Sequence, residues 1–240
     1  MKHTKIFVNG CSFSQSQGIS HKNTLWKPWT DFLVEENQIS VVNCAQSSQG
    51  QGRIVDSTIN GIINQIVPID YVIIQWSAVG RGMVSNQSDY INHLLKSGQP
   101  ELLPFEDEYF NKDLPLDVVT DFANQIDYFY YKNTLTKIIS LKSYLENNNI
   151  PYLFFWGWQQ ITDEMTNSSK ELKKLLNVAY DGNWWLYGNH GGLSEYAIDM
   201  LGEDNAIIPN DFHPTTKSHE LFYHNIIQPI VVQKRGDVTI

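Results

Sequence analysis

The chain has 240 residues, enough for one large domain, and 42% hydrophobic against 18% charged residues is ordinary for a globular protein with a sizeable core. Its 26 acidic and 17 basic residues give a formal charge of −9. That balance argues against nucleic-acid and anionic-membrane partners, since both demand basic surface. No apolar run is long enough to span a bilayer, and the opening MKHTKIFVNG lacks a signal-peptide core, so the default expectation is a cytoplasmic chain. Two cysteines, Cys11 and Cys44, make no disulfide framework. No CxxC or HExxH spacing suggests a metal, and no cofactor is implied.

In chain order, KIFVNG (5–10) is a short apolar run ending in glycine and reads as a buried strand. NTLWKPWTDFLVEEN (23–37) spaces Leu25, Trp29, Phe32 and Leu33 with a helical period, with Pro28 tolerated in the first turn. ISVVNCA (39–45) reads as a second strand. GRIVDSTINGIINQI (52–66) is a helix with Ile54, Ile59, Ile62, Ile63 and Ile66 on one face, and DYVIIQWS (70–77) is the clearest buried strand. Residues 84–122, with Pro100, Pro104, Pro115 and the acidic Glu106–Glu108, read as an irregular insertion. A long amphipathic helix follows over about 124–149, then a strand in IPYLFFWGW (150–158) and a helix over 168–180. NAIIP (205–209) reads as a short last strand, and TTKSHELFYHNIIQPIV (215–231) as a closing helix interrupted at Pro229.

Strands alternating with helices point to a single α/β domain over residues 1–240, with a parallel sheet covered on both faces. In such sheets the ligand crevice lies beyond the carboxyl ends of the strands. Those ends carry GCSFS, NCAQSSQGQG and WSAVGR, and the last carries PNDFHP. A serine hydroxyl becomes a nucleophile when a base accepts its proton, and the usual base is a histidine oriented on its other nitrogen. Ser12 follows the first strand and His213 the last, so the topology brings both to one crevice. Asp211, or Asn210 beside it, can orient the imidazole. The Ser12 N–H and the glycine-rich turn SSQGQG (47–52) can supply donors to an oxyanion.

In this arrangement VNGCSFS resembles the first block of the SGNH (GDSL) hydrolase superfamily. NCAQSSQGQGRI is similar to its second block, DYVIIQWSAVGR stands at its third, and DFHP with KSHELF resembles its last, which carries the catalytic histidine. The blocks keep the family order over residues 5–228. The resemblance implies a three-layer α/β/α sandwich with a parallel, flavodoxin-like sheet, and hydrolysis of acyl esters, commonly on lipids or carbohydrates. It assigns Ser12 as nucleophile and His213 as base. Cys11 stands where the family has aspartate, and the second-block glycine is either Ser48 or Gly50. The third-block asparagine is absent, leaving Ser77 or Arg81 to substitute. The family aspartate three residues before the histidine is Asn210 here.

Simpler roles compete for each residue. Ser12 alone reads as a turn or cap serine, His213 as a strand terminator, Asp211 and Asn210 as helix caps, and Gly50 and Gly52 as turn glycines. Arg81 reads as a surface residue, or as a contact for an anionic substrate group. His219 reads as a packing histidine and His190 as a loop residue. Trp156, Trp158, Trp184 and Trp185 read first as core and second as sugar-stacking surfaces. Arg235-Gly236-Asp237 is a chance tripeptide. Ser14 occupies the position where a GxSxG elbow needs glycine, which disfavours an α/β-hydrolase. The expectation is therefore a serine esterase whose partner is a small-molecule or carbohydrate ester. The alternative is a degenerate hydrolase fold serving glycan binding or assembly. Cys11 and Cys44 are expected to lie near each other, reduced.

Overall fold

The computed structural model describes residues 4–15, 26–36, 39–79, 116–167, 169–189, 191–211 and 213–236. A five-stranded sheet comprises β1 (Lys5–Asn9), β2 (Ser40–Asn43), β3 (Tyr71–Trp76), β4 (Tyr152–Trp156) and β5 (Trp184–Trp185). The strand order is β2-β1-β3-β4-β5 and every neighbouring pair is parallel. The helices are α1 (Trp29–Glu36), α2 (Gln51–Ile63), α3 (Leu116–Asn147), α4 (Asp163–Thr166), α5 (Lys170–Tyr180), α6 (Leu193–Leu201), α7 (Glu203–Ala206), α8 (Thr216–Phe222) and α9 (Gln228–Gly236).

Strand side chains alternate between faces, and that period of two sorts the core into two layers. Phe7, Val72, Ile74, Trp76, Tyr152, Phe154 and Trp156 point one way, onto Ile54 of α2, Leu135, Ile138 and Leu141 of α3, and Leu172 and Leu176 of α5. Ile6, Val8, Tyr71, Ile73, Leu153 and Phe155 point the other way. They meet Trp29, Phe32 and Leu33 of α1, Leu193 and Tyr196 of α6, and Phe222 of α8. β1, β3 and β4 bury both faces, so they read as continuous apolar runs without alternation in polarity. The architecture is the expected three-layer α/β/α sandwich. Strand order reverses at β1, which places the switch-point crevice outside the carboxyl ends of β1 and β3.

Four expected strands coincide with β1 to β4. The expected strand at 205–209 is instead the end of α7 followed by Ile207, which makes one isolated antiparallel bridge to Pro214. Pro209 has no N–H to extend that pairing. The fifth strand is the two-residue β5, too short to show any period. The long helix begins at Leu116, earlier than expected, while residues 84–115 of the expected insertion lie outside the described residues. The closing helix is not broken at Pro229. A π-turn at Tyr223–Ile227 joins α8 to α9 and lies just ahead of the proline, whose ring removes one donor from the α-helical pattern. Among the described residues no helix is long and apolar enough to cross a membrane.

Candidate active site

The chain leaves β1 through Gly10 and forms a single 3-10 turn at Ser12–Ser14. Gly10 is required by space: a Cβ there would stand 2.9 Å from the main-chain oxygen and side chain of Gln75. The exit is held on both sides. Asn9 accepts the Gly10 N–H at 2.8 Å, and its Nδ2 lies within hydrogen-bond distance of Ile54 O, Ser57 Oγ and Thr58 Oγ1 on α2. Ser14 Oγ accepts from Trp29 Nε1 at 3.0 Å, and Ser14 O accepts from Asn43 Nδ2 at 2.7 Å. Ser14 is thus a buried structural hydroxyl.

His213 and Asp211 lie on a loop of opposite origin. The Ile207–Pro214 bridge closes it, with Ile208 N donating to His213 O at 2.8 Å and Thr215 N to Ala206 O at 2.8 Å. Thr215 caps α8 by accepting from Ser218 N, and Trp26 Nε1 donates to Pro214 O at 2.9 Å. This loop carries His213 Nε2 to 2.8 Å from Ser12 Oγ, across 201 residues of sequence. His213 Nδ1 lies 3.0 Å from Asp211 Oδ1 and 3.0 Å from Asp211 O. A carboxylate and a carbonyl can only accept, so Nδ1 carries the proton. In the neutral imidazole Nε2 is then bare and can accept the Ser12 hydroxyl. Cys11 Sγ lies 3.9 Å from the same hydroxyl, a much weaker competitor. Asn210 is exposed, with a left-handed φ of 62°, and makes no comparable approach to the imidazole.

An aromatic wall flanks the imidazole. Phe13 lies edge-on at 5.4 Å and Trp26 at 5.9 Å between ring centroids. Trp158 packs on Phe13 at 3.9 Å and is half-buried, whereas Trp156 is in the core. Trp184 and Trp185 pack on core aromatics instead. His219 is fully buried against Phe13 and Trp26, and neither ring nitrogen has a hydrogen-bond partner. Burial, with a smaller contribution from His213, pushes its pKa down to about 3. It is neutral and packs, as expected from its place one turn into a helix.

The other candidates divide. Gly50 is buried and caps the N-terminus of α2, where helical N–H groups lack internal partners. Ser48 is exposed with φ 62° in the preceding turn, so Gly50 rather than Ser48 lines up with the helix start. Among the described residues neither Ser12 N–H nor Gly50 N–H donates to another group. Ser77 is buried beyond β3, and its carbonyl accepts from Gln51 Nε2 at 2.7 Å, tying the α2 start to the β3 exit. Arg81 and His190 lie outside the described residues. Gln75, Gln51 and Asn9 organise the site, and sequence reading missed them. For Asn9 and Gln75 the signal available was a polar residue in an otherwise apolar strand, whereas Gln51 opens a helix and carried no such signal. Among the described residues no group of three or more His, Cys, Asp and Glu side chains is arranged to hold a metal ion.

No protein-family model and no curated protein sequence matches the chain. Solved structures do. A protein assigned to the G-D-S-L lipolytic family from Desulfitobacterium hafniense is 12% identical, with 92% of this chain and 97% of that one covered, at a TM-score of 0.51. The esterase EstA from Pseudoalteromonas is 13% identical over 96% and 98% of the two chains, at a TM-score of 0.49. The chain has the SGNH hydrolase fold, as a divergent example of it.

Proposed function

We propose that the chain is a serine ester hydrolase of the SGNH type, with residues 1–240 forming one such domain. The observation that carries this reading is the continuous line Ser12 Oγ, His213 Nε2, His213 Nδ1, Asp211 Oδ1, at 2.8 and 3.0 Å. Ser12 Oγ attacks the ester carbonyl carbon while its proton passes to His213 Nε2. The carbonyl electron pair moves to oxygen, and the Ser12 and Gly50 N–H groups receive that charge. Collapse expels the alkoxide, which takes the proton from Nε2. Water then attacks the acyl-serine and gives its proton to Nε2, and the bond between Ser12 Oγ and the acyl carbon breaks as Nε2 returns that proton to Oγ. Asp211 holds the imidazole in the required tautomer and stabilises its charged form.

The half-buried Trp158 beside Phe13 supports an apolar or sugar-bearing group next to the reacting carbon. A serine-directed fluorophosphonate with peptide mass mapping tests the reading. One label per chain on Ser12, lost in Ser12→Ala and His213→Ala, together with turnover of a short-chain aryl ester, is the expected result. Label on Ser14, or no label on folded protein, overturns it in favour of a binding role for the fold.

A further inference from the structure

Gln75 is the penultimate residue of β3 and is fully buried. By strand parity it faces the same side as Tyr71 and Ile73, beneath the turn that follows β1. Its amide occupies a slot between two glycine backbones. A Cβ on Gly157 would stand 2.3 Å from Gln75 Nε2, and one on Gly10 would stand 2.9 Å from Oε1.

The polar contacts of that amide are specific. Oε1 accepts from Cys11 N–H at 3.2 Å, from the Cys11 thiol at 3.3 Å and from Ser14 Oγ–H at 3.2 Å. Nε2 donates to Trp76 O at 2.8 Å. Three donors converge on one end, so the amide orientation is set: reversed, its NH2 would face the Cys11 N–H. Cys11 and Ser14 bracket the turn that presents Ser12. One side-chain carbonyl oxygen of β3 therefore holds both ends of that turn, and among the described residues the Ser12 N–H between them donates to no other group. The family-type aspartate at position 11 is a cysteine here, and its thiol too is bound from β3.

We propose that Gln75 is the positioning residue for Ser12, fixing the turn so that Oγ meets His213 and the Ser12 N–H is available to an oxyanion. This rests on the esterase reading above. Gln75 touches no reacting atom and acts through Cys11 and Ser14. Misplacing a nucleophile by a fraction of an ångström weakens attack while leaving ground-state binding intact.

The test uses the full chain. Gln75→Met keeps length and removes the acceptor. It is expected to lower kcat for a short-chain aryl ester about 100-fold, with KM within about threefold. Gln75→Glu keeps an acceptor oxygen, and burial favours its neutral form, which can still donate to Trp76 O. It is expected to recover kcat to within about tenfold of wild type. Hydrogen exchange gives a readout independent of activity: the Cys11 amide should exchange about tenfold or more faster in Gln75→Met, with β4 amides unchanged. Gln75→Asn, which withdraws the carbonyl by one methylene, replaces Gln75→Met if that variant does not fold. Wild-type kcat in Gln75→Met or its replacement, or an unchanged Cys11 exchange rate, overturns the proposal. A wild-type chain that neither turns over ester nor takes up fluorophosphonate sinks the esterase reading, and the exchange experiment still decides whether Gln75 holds the turn.

Discussion

Asp211 is the side chain whose removal has the most informative magnitude. His213 Nδ1 has two acceptors on the same residue, the Oδ1 carboxylate oxygen and the main-chain carbonyl, each at 3.0 Å. In a serine triad, losing the carboxylate costs about 10⁴-fold in kcat when the imidazole then takes the wrong tautomer. In Asp211→Ala the carbonyl still accepts from Nδ1, so the tautomer survives. What is lost is one hydrogen bond to a charged group, about 1.5–3 kcal/mol. At about 1.4 kcal/mol per decade, kcat/KM should fall roughly 10- to 150-fold. Asn210→Ala should stay within about twofold, since surface positions away from such contacts change little. Steady-state hydrolysis of a short-chain aryl ester by both variants and by His213→Ala measures this. A loss in Asp211→Ala as deep as in His213→Ala would refute the role given to the carbonyl. Full activity in Asp211→Ala with a loss in Asn210→Ala would refute the assignment of Asp211 altogether.

Further outcomes follow from burial and packing. His219 is held neutral in the folded chain, with its pKa lowered to about 3 by burial, against about 6.5 unfolded. Between those values the unfolded state binds the extra proton, so His219 contributes a loss of stability as pH falls from about 6.5 towards 3, of up to about 1.4 kcal/mol per pH unit. His219→Phe should flatten that part of the pH profile in denaturant unfolding, and an unchanged slope would mean that the site is hydrated. Gly157→Ala places a Cβ 2.3 Å from Gln75 Nε2 and should destabilise by about 1–3 kcal/mol. Thermal unfolding within a degree of wild type would contradict the close approach. Cys11 and Cys44 are both free. Thiol titration under denaturing, non-reducing conditions should find two thiols per chain. In the native chain both should react slowly, because Cys11 is buried and burial raises the Cys44 pKa.

Much of the architecture was legible in the residues themselves. KIFVN, YVIIQW and YLFFW are apolar throughout because both faces of an inner parallel strand are covered, and such runs need no tertiary information to be recognised. Their alternation with amphipathic helices defines the sandwich, and the polar residues after each strand mark the crevice. Ser12 and His213 were legible as candidates for that reason alone. The tertiary structure alone decided the rest. Asp211 is preferred to Asn210 as the imidazole's partner because the turn at 208–211 sends Asn210 into a left-handed, exposed conformation, and backbone direction is not encoded in an offset of two or three residues. Gln75 is a polar residue inside an apolar strand, which marks it locally but does not name its partners. Its partners Cys11, Ser14, Gly10 and Gly157 come from the exits of two other strands, and only sheet order and register bring them to one amide. Residues 205–209 have strand-like composition, yet Ile207 makes only an isolated bridge to Pro214, and Pro209 cannot donate to a new ladder. Local pattern determines which segments are buried. Which polar atoms meet inside them depends on how distant backbones are packed.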